Sequence, residues 1–211
     1  KHRLDHKSSL DGEELPPNTS LEGQIADLAD DLTYYGHDVD DGLDSGLITE
    51  SMLDELDIWR RASSLASEHR LADDPERHSS FTVRCLIDMM VGDAIRNSER
   101  RIVESDTRTP EEAQYSASKT ISFSPEFTAM TSQLRAFLYH HLYFHADVEK
   151  ANSAAVTRME ELFDTYVRRP ELMNNMSQVI EREGLHRAAA DYIAGMTDRF
   201  AFLEHNRCCG K

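Results

Sequence analysis

Residues Thr19 to Ile48 read TSLEGQIADLADDLTYYGHDVDDGLDSGLI, and the spacing within this stretch predicts the fold. Leu21, Ile25, Leu28, Leu32, Tyr35 and Val39 recur at alternating steps of four and three, the apolar stripe of an amphipathic helix. Asp30, Tyr34 and Asp38 follow at i, i+4 and i+8. At about 100° per residue such side chains drift only about 40° per step, so two carboxylates and a phenol line a second strip. The helix therefore buries one side and presents acids on another. Thr19 with Glu22 fits a capping box, and Pro16-Pro17 disfavours an earlier start. Gly42 and Gly46 interrupt the pattern, giving a helix over residues 20 to 41.

The chain on either side reads as more helix. A second helix is expected from Thr49 to His69, with Met52, Leu53, Leu56, Trp59 and Leu65 facing inward. Asp74-Pro75-Glu76 supplies a cap, a proline at the first helical position and a first-turn acid, starting a third helix that runs to Glu104. Its middle, Val83 to Val91, is apolar on nearly all sides, as in a helix covered by neighbours. Ser105 to Ser122 lacks periodicity and reads as a long loop with a short turn after Pro110. Ser124-Pro125-Glu126 repeats the start signal and opens a helix through Phe127, Met130, Leu134, Phe137 and Leu138. Helices over 148–168, 170–182 and 185–204 follow, punctuated by Pro170 and Gly184. The expected fold is all-α, a multi-helix assembly with no sheet. It comprises a polar segment 1–18, one helical domain over 19–205 and a frayed tail 206–211.

Composition narrows the function. The formal net charge of −16 over 211 residues argues against a nonspecific nucleic-acid surface, which needs clustered Lys and Arg. It leaves room for a nucleotide site, because a metal and a few local cations suffice to hold a triphosphate. Cys85, Cys208 and Cys209 make no disulfide framework. No signal peptide is read at KHRLDHKSS, and no apolar run approaches the ~20 residues that span a bilayer, so the expected compartment is the cytoplasm.

Three segments carry a resemblance. EGQIADLADDLTYYGHDVDDGL (Glu22–Leu43) resembles the helix that supplies the last metal ligand in the deoxyguanosinetriphosphate triphosphohydrolases of the HD-domain phosphohydrolase superfamily. DYIAGMTDRFA (Asp191–Ala201) is similar to that family's C-terminal signature, and FLYHHLYFHADV (Phe137–Val148) to its intervening segment. The resemblance implies an HD-domain-like helical fold and metal-dependent hydrolysis of a deoxynucleoside triphosphate to deoxynucleoside and tripolyphosphate. It further implies a divalent ion such as Mg or Mn held by Asp30, Tyr34 and Asp38 contacting the nucleotide with Asp38 at the sugar 3′-hydroxyl, and a homo-oligomer. An HD site also needs an early His and a His-Asp doublet. By the resemblance these fall before Lys1, so the chain reads as the C-terminal half of such an enzyme, inactive by itself. The alternative from another class is a noncatalytic helical module serving oligomer assembly or regulation.

Other candidates are weaker. His37-Asp38 is a literal His-Asp pair, but it lies in the later helix, where the two side chains point about 100° apart. His2 with His6 and His141 with His145 have helical ligand spacing; the first pair sits in a proline-flanked start, the second among aromatic packing residues. Arg60, Arg61, His69, Arg70, Arg77, Arg84 and Arg199 are the candidate phosphate contacts, with Arg84 singled out by its place on the central helix. The segment Met196–Ala201 has no evident chemical step, and helix packing accounts for it equally well.

Overall fold

In the computed structural model, which describes residues 9–10, 13–68 and 75–210, Ser20 rather than Thr19 caps the first helix. Its hydroxyl accepts from the Gly23 amide at 3.2 Å, and α1 runs Leu21–Asp44. Leu32 and Val39 are buried, with Leu28, Tyr35 and Leu43 packed beside them. Ile25 departs from the expected stripe and is 53% exposed, while Gln24 takes the buried position at 1%.

Gly42 does not end α1; it lies inside it, against Ile48. A Cβ at Gly42 would sit 2.5 Å from Ile48 Cδ1 and 3.1 Å from its Cγ1. Ile48 has little room to yield, being 1% exposed with its amide bonded to Gly42 O at 2.9 Å. The chain leaves the helix instead at Gly46, whose φ of +71° favours glycine. Gly42→Ala is therefore expected to destabilise the protein by about 1–2 kcal/mol, because overpacking costs about 1–3 and better helix propensity returns about 1. Urea unfolding checks this.

The expected second helix is two: α2 (Glu50–Leu53) and α3 (Asp57–Glu68). Between them the Leu56 amide bonds Leu53 O at 2.8 Å, and Arg60 reaches back to Asp54 O at 2.7 Å. The break resets the inward face of α3 to Ile58, Trp59, Ala62 and Ala66, leaving Leu65 on the outer side. Helix α4 spans Pro75–Ser105; its expected cap Asp74 lies outside the described residues. It packs on α1 and α3. Val83, Leu86 and Met90 are buried, but Arg84, Asp88 and Val91 are exposed, so α4 is not covered on all sides. A capping box between Thr109 and Glu112 starts the short α5 (Pro110–Gln114) within the expected loop. Ser124 caps α6 (Pro125–Leu138) through the Phe127 amide, and a π-helical stretch Tyr139–Tyr143 follows directly.

The chain forms two compact units, Lys1–Tyr143 and Phe144–Lys211, with apolar residues scattered evenly through both. The first is built around Val39, Leu53, Ile58, Leu86, Leu134 and Leu138. The second contains α7 (Ala146–Arg168), a 3-10 turn at Pro170–Leu172, α8 (Ser177–Glu183), α9 (Leu185–Ala194) and α10 (Asp198–Cys208) around Leu162, Tyr166, Met173 and Ala189. The expected last helix is thus divided. Thr197 caps α10 through the Phe200 amide at 3.3 Å and Ala201 is buried, which gives the MTDRFA stretch its structural role. Nor is 206–211 a tail from its first residue: α10 continues to Cys208, whose carbonyl accepts from Arg169 at 2.7 Å. The fold is all-α. Among the described residues the one strand pairing is an antiparallel ladder of two residues each, Ser9–Leu10 with Glu13–Glu14.

Candidate functional site

The outer strip of α1 faces a hollow of about 320 Å³. Asp27, Asp30, Asp31, Tyr34, Tyr35 and Asp38 form one wall, and Lys119, Arg135, Leu138, Tyr139 and Tyr143 form the other. The three residues singled out by spacing, Asp30, Tyr34 and Asp38, thus come together in one concavity. The facing wall repeats their spacing: Arg135, Tyr139 and Tyr143 are also at i, i+4 and i+8. They bridge the end of α6 and the π-helical stretch, whose wider turn counters the drift that an α-helix imposes on four-residue steps.

The two walls are joined by polar contacts. The Tyr143 hydroxyl donates to Asp38 Oδ2. Burial, then the bond to Asp38 and its charge, push the Tyr143 hydroxyl far above the ordinary tyrosine range, so it remains a donor at neutral pH. Lys119 pairs with Asp27. Arg135 lies 5.7 Å from the centroid of the Tyr139 ring. A hydrogen bond to Tyr139 holds its guanidinium above the usual value, burial opposes this, and the charges of Tyr35, Tyr139 and Asp31 add to the rise. Acids able to accept from sugar hydroxyls therefore sit across from two cations able to meet phosphate oxygens.

The cations that line this hollow are not those the sequence singled out. Arg60 pairs with Asp57, and Arg61 with Glu126 at 2.6 Å. Arg84 is exposed on α4, Arg199 belongs to the second unit, and His69 and Arg70 lie outside the described residues. Arg77 is exposed too and does not line the hollow. The signal for Arg135 and Tyr143 was present in the four-residue repeat with Tyr139; Lys119, in an aperiodic loop, had none.

The histidine pairs behave as packing and capping residues. The His141 ring lies against Phe137, tilted at 43° with ring centroids 4.5 Å apart, and His145 Nδ1 accepts from the Asp147 amide at 3.3 Å, capping α7. His37 is exposed, and His2 and His6 lie outside the described residues. Among the described residues no group of three or more His, Cys, Asp or Glu is placed to hold a metal ion. A divalent cation needs several oxygen or nitrogen donors. The second unit has a larger hollow, about 620 Å³, lined by Glu161, Asp164, Thr165, Arg168, Arg169, Cys208 and Cys209. None of the residues expected at the site lines it.

Comparison with known proteins bears on the chain as a whole. A phosphohydrolase-associated domain matches residues 121–207. A deoxyguanosinetriphosphate triphosphohydrolase-like protein of Brucella ovis is 36% identical over 198 residues, covering 92% of this chain and 49% of the relative. Proteins of the same name from Nitrosomonas europaea and Geobacter metallireducens are 37% and 34% identical, covering 90% and 89% of this chain and 50% and 49% of their own lengths. The chain spans about half the length of the curated relatives it matches.

Proposed function

We propose that this chain, a member of the deoxyguanosinetriphosphate triphosphohydrolase-like family of HD phosphohydrolases, supplies the nucleotide-facing half of a metal-dependent dNTP triphosphohydrolase site. The observation that carries the reading is the meeting of Asp30, Tyr34 and Asp38 with Lys119 and Arg135 around one hollow. The reaction is the addition of water to a deoxynucleoside triphosphate, giving deoxynucleoside and tripolyphosphate. Asp38 accepts from a sugar hydroxyl, and the Tyr143 hydroxyl bonded to it fixes the direction of its free lone pairs. Tyr34, one turn before, packs against the nucleotide while its hydroxyl donates a hydrogen bond to it. Arg135 and Lys119 face the phosphates, where their charge offsets the tetra-anion in an otherwise acidic chain.

Asp30 provides one carboxylate to a divalent ion, and the remaining donors come from polypeptide beyond this chain. No helix among the described residues is long and apolar enough to cross a membrane. We place the protein in the cytoplasm and expect a homo-oligomer. Calorimetry of this chain with Mn²⁺ should show no tight site, since one carboxylate and its neighbours cannot satisfy the ion. A submicromolar site lost on changing His141 or His145 would overturn the ligand assignment.

The nucleotide assignment is tested by equilibrium binding of a dNTP and the matching ribonucleotide. Tyr34→Phe and Asp38→Asn should each weaken dNTP binding by about 10- to 100-fold, the loss of a hydrogen bond to a charged group, and should narrow the preference for deoxyribose. Unchanged affinity in both variants would leave the assembly module as the better reading.

A further inference from the structure

The buried Gln24 has no part in the hollow's lining, yet it lies on the same helix and binds the segment that presents Lys119. Its Oε1 accepts from the Thr120 amide at 2.9 Å and the Ile121 amide at 3.1 Å, and its Nε2 donates to Thr19 O at 3.0 Å. Three of the four bonds a carboxamide can make are thus present, at a side chain 1% exposed. Both amides belong to a segment with no helix or strand of its own, where backbone donors have to find side chains. The far end of this segment is tied to α4. Ser98 Oγ accepts from the Ser122 amide at 3.1 Å, Asn97 donates to Ser122 O and Phe123 O, and Asp93 accepts from the Ser124 amide at 2.8 Å. Gln24 is the tie from the site helix, and it grips the two residues immediately after Lys119. Lys119 in turn meets Asp27, three residues and just under one turn beyond Gln24 on α1.

We infer that Gln24 is a positioning residue for the hollow: its carboxamide fastens Thr120 and Ile121 to α1 and thereby sets Lys119 against the acidic strip as a phosphate-facing cation. The phosphate part rests on the function proposed above; the fastening does not. A Lys side chain on a free loop would sample many rotamers and lose affinity to the cost of ordering it, whereas a backbone held at the next two residues removes much of that cost. A carboxamide suits this role better than a carboxylate, because its second atom has to donate to the Thr19 carbonyl.

The test has two readouts on the 211-residue chain. Amide hydrogen exchange should find Thr120 and Ile121 protected in the native protein, and Gln24→Met, similar in volume but without donors or acceptors, should accelerate both by about tenfold or more. Amides in the middle of α4 should stay slow. Calorimetry with inorganic tripolyphosphate should then show equal weakening in Gln24→Met and Lys119→Met, and no further loss in the double variant. Free exchange of these amides in the native protein, or no acceleration in Gln24→Met, overturns the fastening. Additive losses in the double variant overturn the action through Lys119. If the native chain binds no tripolyphosphate, the phosphate-facing role of Lys119 and Arg135 falls, while the exchange data still decide what Gln24 holds.

Discussion

Asp30→Ala is expected to abolish metal-dependent tripolyphosphate release in a polypeptide that joins this chain to the remaining half of its relatives' length. Removing even an outer partner of a metal ligand commonly costs 10- to 100-fold in affinity or activity, so loss of a ligand itself should cost more than about 100-fold. The chain alone should release no tripolyphosphate from a dNTP under Mg²⁺ or Mn²⁺. In the joined protein Tyr34→Phe and Asp38→Asn should retain turnover at high nucleotide and lose it at low nucleotide, because the roles proposed for them lie at the sugar and not at the metal. Tripolyphosphate release measured by ion chromatography separates these outcomes. Turnover that survives Asp30→Ala, or a joined protein with no turnover of any dNTP, rejects the enzyme reading and leaves a helical assembly module.

Glu204→Ala should give the largest loss of stability in the second unit. The Glu204 carboxylate is buried and accepts from the Tyr166 hydroxyl at 3.0 Å and from Arg207, through Nε at 2.9 Å and through Nη2. Truncation leaves the fully buried Tyr166 without this partner, while half-exposed Arg207 regains water. The expected cost is about 2–4 kcal/mol, below that of breaking a fully buried ion pair. Urea unfolding measures it, and faster amide exchange in α7 and α10 locates it. The Arg207 hydrogen bond lowers the Glu204 pKa against burial, and the Tyr166 bond lowers it further. A depressed carboxylate stabilises the fold fully above its unfolded pKa of about 4.3 and ceases to do so as pH falls through its folded value. Below about pH 4.3 the native protein should therefore lose stability more steeply than Glu204→Gln, which has no proton to take up there.

The helices and the strip of Asp30, Tyr34 and Asp38 were legible in the chain because their causes are local. A serine, proline and glutamate at 124–126 start α6 wherever it packs, and residues four apart share a helix face whatever lies opposite. The break between α2 and α3 was hidden because Met52, Leu53 and Leu56 continue an apolar rhythm across it. Gly42 misled for a related reason: as local punctuation it ends a helix, whereas here its missing side chain makes room for Ile48. Burial of Gln24 in place of Ile25 follows from amides 96 and 97 residues away that need an acceptor. The facing wall of the hollow is of the same kind: Tyr143 meets Asp38 across 105 residues, and Lys119 meets Asp27 across 92. Sequence spacing fixes which side chains share a face of one helix. Which face another segment covers depends on satisfying buried backbone groups and closing apolar surface across the whole chain, and only the tertiary structure decides it.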